Sequence, residues 1–534
     1  VKSFKTNKGK LMKRSQLLLA AVLTMGTAAY AHFGFVVPHA GARTADLIIS
    51  EVLTPEAGVG IDVIKTTRLF IRDIEGKDTP LATTKFGNVF RIDLPGKGNR
   101  IIHGMADLGI SPNARAPKPY LLLYYPKTLI GPLLGEKATL GGDTPVELVP
   151  EGEPGKTTLL LLSKGKPLAD SEVTLVLPGG EQKKVRTDST GHTPVISQTG
   201  RLAAWARFWE PSSGDREGKP YEQLRHYAML VFDSYPKPTN FTTLPEATSS
   251  FGAVAEKGWL YVYGGHVVPT HNYSTAAVSG KFNRLNPETG EWQTLGTGPS
   301  LQGLNLAAAN GKVYRVGGMQ PRNAPGEKQD IHSIAEVASF DPATRSWQSL
   351  TPLPGARSSH DVAVIGDQLF VAGGWNLKGA EGSSWAHTIL SLNLKDPNAQ
   401  WQSASQPFER RALITAVHKG RLYVMGGITK TGAVSAEVDI YDPATSSWSK
   451  GPALPGTQTM NFAPAAAEHN GRLLVSLADG TLIRLDDVSN QWQEAGISSP
   501  RLAHRMVSVG TKLLIIGGAE KGANLNLVEA LKLD

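Results

Sequence analysis

From about residue 240 onward one arrangement of apolar and polar positions recurs along the chain. A short apolar run leads into a second that ends in Gly-Gly; a variable stretch, a third run, a turn and a Trp follow. The second runs are Leu260–Tyr263, Val313–Val316, Leu369–Ala372, Leu422–Met425 and Leu513–Ile516, each followed directly by its diglycine. A degenerate copy, Leu473 to Gly480, lies between the last two. Four-residue runs rich in Leu, Val, Tyr and Ile and bounded by Gly read as buried β-strands. The tryptophans are Trp292, Trp347, Trp401, Trp448 and Trp492. Before them, Asn286-Pro-Glu-Thr, Asp341-Pro-Ala-Thr and Asp442-Pro-Ala-Thr set tight turns between outer strands.

The unit returns about every 53 residues. A four-stranded sheet with two apolar faces cannot bury both alone, whereas radial stacking around an axis buries them. Six such units predict six blades. Only five have a Trp strand downstream, because the last unit runs out at Glu529–Asp534. The missing outer strand is expected from the front of the region: Asn240-Phe241-Thr-Thr-Leu244 matches Ser346-Trp347-Gln-Ser-Leu350, with Phe241 at the Trp position. Pairing it with the last unit would close the ring and remove exposed strand edges.

The front half also reads as strands, at Asp46–Val52, Thr67–Arg72, Tyr120–Tyr125 and Thr157–Leu162. From Leu159 to Phe232, strands separated by Gly165-Lys-Pro and Asp188-Ser-Thr-Gly191 turns resemble an immunoglobulin-like or transthyretin-like sandwich. The expected division is a targeting segment at 1–31 with an upstream extension at 1–11, a β-rich domain at 32–145, a β-sandwich at 146–235 and the propeller at 240–534. Asp233-Ser-Tyr-Pro-Lys-Pro-Thr-Asn240 is a short linker stiffened by proline. The fold class is all-β.

Charge changes the picture little. The net charge is +8, but Lys2, Lys5, Lys8, Lys10, Lys13 and Arg14 supply six of those charges, leaving +2 for the rest. A nearly balanced chain gives no electrostatic case for nucleic acid. The chain has no cysteine, which excludes disulfides, thiolate nucleophiles and zinc–thiolate sites. There is no nucleophile elbow, Walker loop or His-Glu-x-x-His.

Met12-Lys13-Arg14, the apolar run Leu17–Met25 and the small residues of Ala29-Tyr30-Ala31 have the layout of a secretory signal peptide. The expected location is periplasmic or secreted, with no membrane span after cleavage. Cleavage after Ala31 would leave His32 at the N-terminus, where amine and imidazole together chelate Cu(II), Ni(II) or Co(II).

The repeats of residues 240–534 resemble the kelch family. In that family the loops before each innermost strand and after each diglycine share one face of the disc. That places Arg357, Arg410 and Arg501, each sixteen residues before its diglycine, on the face. His360 and His504, each thirteen before, join them. The longer loops add His266, His271, Gln320, Arg322, Trp375, Trp385 and His387. Repetition at equivalent positions points first to hydrogen bonding between blades; a ring of arginines gripping a carboxylate is the sharper reading. A copper radical oxidase of this type needs a Cys–Tyr cofactor, which a chain without Cys cannot form.

The front half, through Ala31-His32-Phe33-Gly-Phe-Val-Val-Pro38, Lys164–Val173 and Leu224-Arg225-His226-Tyr227-Ala228, resembles an exported family, domain of unknown function 4198, associated with nickel/cobalt uptake. The resemblance implies metal ligands at His32, then His226 and His103, with His39 weaker. No pair has ligand spacing. The reading is a binding protein of the cell envelope, with a protein or glycan partner on the propeller and a candidate metal site in front. A sugar-directed propeller enzyme and a purely structural surface protein are the alternatives.

Overall fold

The structure, a computed structural model, describes residues 32–534 apart from 40–41, 57–58, 97, 112–117, 143, 270, 456–457, 532 and 534. The expected signal segment lies outside the described residues. Among those described there are strands and short 3-10 turns but no α-helix, and no helix is long and apolar enough to cross a membrane.

The C-terminal half contains six four-stranded antiparallel sheets. The first is Gly252–Glu256, Trp259–His266, Val278–Leu285 and Trp292–Thr297; the second is Leu306–Ala309, Lys312–Val316, Val337–Asp341 and Ser346–Leu350. The third is Asp361–Ile365, Gln368–Ala372, Thr388–Asn393 and Gln402–Ser405; the fourth is Ile414–His418, Arg421–Met425, Val438–Asp442 and Ser447–Lys450. The fifth is Ala465–His469, Arg472–Ser476, Thr481–Asp486 and Gln491–Ile497. The sixth takes Arg505–Val509, Lys512–Ile516 and Leu527–Leu531 from the C-terminus and its outermost strand, Thr239–Thr243, from the front. The two ends meet antiparallel, Thr239 opposite Ala530 and Thr243 opposite Leu527.

The first strands of successive sheets touch in order, and the sixth touches the first again. At the start of these strands lies a chain of backbone hydrogen bonds that also returns to its origin. Gly303 N donates to Ser250 O (2.8 Å), Ser359 N to Gly303 O (2.6 Å) and Ala412 N to Ser359 O (2.8 Å). Ala463 N donates to Ala412 O (3.1 Å), Ala503 N to Ala463 O (3.2 Å) and Ser250 N to Ala503 O (2.9 Å). All six residues have φ between 46° and 60°, the left-handed conformation that turns each peptide toward the next sheet. Only Gly, Ser and Ala occupy these positions.

Apolar layers lie between neighbouring sheets. Val316, Val337, Leu353, Val362, Leu369 and Val371 form one, between the second and third. The outer tryptophans tie adjacent sheets through their indole N–H: Trp401 to Thr351 O (3.0 Å), Trp448 to Ser405 O (2.9 Å) and Trp492 to Pro452 O (2.8 Å). The diglycines are forced by crowding: at Gly374, with φ 90°, a Cβ would stand 2.7 Å from the Cβ of His360.

The front half is built on an eight-stranded sheet. Its order is Gln182–Arg186, Glu172–Val176, Gly200–Arg216, Lys219–Ser234, Tyr120–Ile130, Arg100–Ile110, Arg68–Arg72 and Asp78–Leu81. Lys219–Ser234 pairs in parallel with Tyr120–Ile130, so this sheet runs unbroken across the expected division at 145–146. A three-stranded sheet including Glu147–Glu153 and Lys156–Ser163 packs on it around Leu148, Leu159, Leu161, Val173 and Leu230. A four-stranded sheet including Phe33–Pro38 and Thr44–Ser50 adds a further layer through Phe33, Phe35 and Ile48. The halves meet at Arg201, whose guanidinium holds Asp233 (2.8 Å) and Glu494 of the fifth sheet (2.7 Å).

Candidate functional site

In five of the six sheets of the C-terminal half, the segment before the first strand pairs with the segment after the diglycine, which puts both on one face. Ser249 bridges His266, Gln302 bridges Met319, Ser358 bridges Trp375 and Leu502 bridges Ala519. In the fourth sheet Arg410–Arg411 pairs with Ile428–Thr429. At the centre of this face lies the peptide ring, a floor of Gly, Ser and Ala side chains.

Below the ring the axis is filled. Arg505 reaches across it, donating from Nε to Phe251 O (2.8 Å) and from Nη2 to Leu304 O (2.6 Å), with Nη1 3.3 Å from Asp361 Oδ1. Asp361 is fully buried, and its Oδ2 accepts from Thr415 N (2.6 Å) and Oγ1 (3.0 Å). A sugar-processing mouth would need an acid and an arginine together. Both are here, but they are bonded to each other and to backbone, beneath the ring.

The periodic arginines are structural. Arg410 is buried, donates to Gly426 O (2.8 Å) and Glu437 O (2.7 Å), and pairs with Asp439. Arg501 bonds Gly517 O (3.2 Å) and pairs with Glu529. Arg357 bonds Thr388 O (3.0 Å). Every partner lies in the arginine's own sheet, so these bonds tie the strands within a blade rather than one blade to the next. Their guanidinium groups face inward, away from any ligand on the loops.

His360 and His504 are also buried. Burial, aided by the charges of Arg357 and Arg505 for His360 and of Arg501 and Arg505 for His504, lowers each pKa to about 3. His504 Nε2 meets Ser476 Oγ at 3.0 Å, and both are uncharged at neutral pH. His266 is buried against Pro269 O (3.2 Å) beside Tyr273, and burial lowers its pKa. His271 is exposed on its loop, in a left-handed conformation.

What the face does present is Arg411. Its guanidinium carbon lies 4.1 Å from the centre of the Trp375 ring and 5.7 Å from that of Trp385, and the two indoles are 5.6 Å apart. Arg411 Nε and Trp375 Nε1 are buried without hydrogen-bond partners. Among the described residues no carboxylate pairs with Arg411, and burial pulls its pKa down, with only Tyr273 opposing. A half-buried cation clamped on an aromatic face and lacking a counter-ion is built to receive an anion. Periodicity singled out Arg410 and passed over its neighbour. The equivalents of Arg411 in other repeats are Ser249, Gln302, Ser358 and Leu502. It is the residue without a repeat that faces outward, and irregularity was the signal that could have found it.

In the front half the candidate ligands His32, His103 and His226 each have a different partner. His32 Nε2 lies 3.2 Å from Glu56, His103 Nε2 is 2.9 Å from Asp78, and His226 Nδ1 is 2.9 Å from Tyr125 OH. His39 bridges Thr44 and Asp46. Burial lowers the pKa of His226. Among the described residues no three His, Asp or Glu side chains converge as a metal site would require.

Residues 415–455, most of the fourth sheet, match the family model of the Kelch motif. Beta-scruin of Limulus polyphemus is 27% identical over 46% of this chain and 28% of its own length. Kelch-like protein 36 of Bos taurus is 30% identical over 34% of this chain and 30% of its own, and Kelch-like protein 40 of Mus musculus 24% identical over 66% and 52%. The chain therefore spans less than a third of the first two relatives. A solved structure titled "Structure of YjhT" aligns over 54% of this chain and 95% of its own, at TM-score 0.45 and 16% identity. The fourth sheet thus matches the Kelch motif, and five further four-stranded antiparallel sheets of the C-terminal half repeat its strand order.

Proposed function

We propose that the six sheets close into one six-bladed propeller, and that this exported chain uses its loop face to dock a protein partner through a carboxylate seated on Arg411. Closure is supported by the ring of peptide hydrogen bonds, which returns from Ala503 to Ser250. Export is supported by the charged, apolar and small-residue order of residues 12–31.

The observation that carries the docking reading is Arg411 itself. It is stacked on Trp375 and, among the described residues, has no carboxylate partner, at the rim of a floor too small-chained to fill the centre of the face. A partner's Asp or Glu would supply the missing counter-ion, while Trp375 and Trp385 give rigid aromatic area of the kind that dominates interfaces. Two of the similar proteins are named Kelch-like proteins, which supports reading the sheets as a kelch propeller that binds a partner.

The test is selection from a displayed random peptide library on the full chain, repeated with Arg411→Ala. Enriched peptides are expected to carry an Asp or Glu that cannot be replaced by Asn or Gln. Arg411→Ala should weaken them about tenfold or more, the loss of one charge-assisted hydrogen bond. Peptides without an acid, or acidic peptides indifferent to Arg411, would overturn the reading. Exclusive binding on a glycan array would also do so.

A further inference from the structure

We propose that the front half holds a second, separate binding site: a cavity that takes a small carboxylate bearing a hydroxyl or ammonium donor. The cavity is about 560 Å³, within the range of small-molecule pockets. It lies over one face of the eight-stranded sheet and is covered by residues 140–142 and 144–147. Phe70 stands opposite His103, and His103 opposite Lys127, across three neighbouring strands. The two-residue period of a strand therefore brings Arg68, Arg72, Met105 and Tyr125 to the same face.

Among the described residues the charges of this wall do not cancel. Arg72 is held by Asp78 (2.8 Å) and by Leu140 O (2.7 Å), and His103 is also bonded to Asp78 (2.9 Å). Lys127 pairs with Glu147 at 2.7 Å, both side chains almost wholly buried. Arg68 lines the same cavity, and among the described residues no carboxylate lies within ion-pair distance of it. Among the described residues Arg68, Arg72 and Lys127 thus face two carboxylates, Asp78 and Glu147, and one positive charge is left without a partner.

The buried pair is also incomplete. Lys127 Nζ donates to Glu147 Oε2 and to Leu148 O (3.0 Å), using two of an ammonium's three donors. Glu147 Oε2 accepts from Lys127 and from Leu140 N (3.0 Å), while Oε1, equally buried, has no partner. A purely structural ion pair at such depth is stable only when its remaining lone pairs and protons are satisfied. Here an acceptor is left over beside a cavity whose opposite wall carries a surplus cation. A ligand with a carboxylate for Arg68 and an O–H or N–H for Glu147 completes both, with Phe70 and Met105 against its carbon chain. A metal ion is a poor match, since the imidazole Nε2 is already bonded and the neighbours are cationic.

The test is calorimetric titration of the full chain with L-malate and L-glutamate, and with succinate and inorganic phosphate for comparison. L-malate or L-glutamate should bind, with succinate, which lacks the donor, weaker by about tenfold or more. Arg68→Ala removes an exposed side chain and should weaken binding by at least a similar factor. Gly142→Trp should abolish it, because Gly142 lines the cavity and a Cβ there meets no atom within 4 Å. Thermal melts of both variants should match the parent. Failure of all four probes to bind, phosphate or succinate equalling L-malate, or undiminished binding in both variants would each overturn the proposal.

Discussion

Acid should destabilise this protein through two histidines buried between neighbouring sheets, and the size of the effect follows from their burial. His360 and His504 are 2% and 1% exposed, and each is held to a pKa of about 3. In the unfolded chain a histidine titrates near 6.5. The folded-state value is depressed, so the native protein keeps both rings neutral while the unfolded chain gains protons. Stability is therefore full above about pH 6.5 and falls as pH drops from there toward 3. At pH 5 the unfolded chain gains about 2 kcal/mol per histidine, about 4 kcal/mol for the pair. That figure depends on the unfolded value alone, because at pH 5 neither native ring has begun to titrate. Against a typical total of about 5–15 kcal/mol it is a large fraction. The assay is urea unfolding at about pH 7.5 and pH 5 of the parent and the double variant His360→Gln, His504→Gln. The difference between the two pH values should shrink by about 4 kcal/mol in the variant. His226, His266 and His469, whose pKa values burial also lowers, are present in both proteins and cancel. A double variant that loses as much stability as the parent would refute the argument.

Other consequences can be checked alongside. Asp361→Ala strips the largely buried Arg505 of its fully buried counter-ion and should cost about 3 kcal/mol, read as a lower urea midpoint with unchanged slope. The ring position Ala412, at φ 51°, should accept Gly with a gain of about 1 kcal/mol, whereas Ala412→Val should lose at least as much. Melting temperatures that do not separate these two variants would count against strain at the ring. Arg201→Ala leaves Asp233 and Glu494 without their shared cation, so limited proteolysis should cut the 233–240 segment sooner. Unchanged cleavage would show that the halves are held by other contacts.

The reading of the chain succeeded where a pattern repeats and stalled where one residue acts alone. Gly-Gly, Asp-Pro-Ala-Thr and the spaced tryptophans announce strands, turns and blade edges because the same local sterics operate in each copy. The small residue fourteen places before the first Gly of each diglycine was just as regular: Ser250, Gly303, Ser359, Ala412 and Ala503. It could have been found by asking where a side chain is never large. Periodicity also singled out Arg357, Arg410 and Arg501, for which hydrogen bonding was the first reading. A residue that every blade needs is one that serves the blade, and all three bond inward.

The sequence by itself determined the all-β class, the number of sheets and the source of the last outer strand, since strand period, glycine conformation and turn chemistry are local properties. Three things waited for the tertiary structure: that Arg505 spans the axis to Asp361, that Arg411 rests on Trp375, and that Lys127 and Glu147 meet beside a cavity. Each joins residues far apart in the chain. No spacing rule connects such residues, because their distance is set by how whole sheets pack and not by the backbone between them.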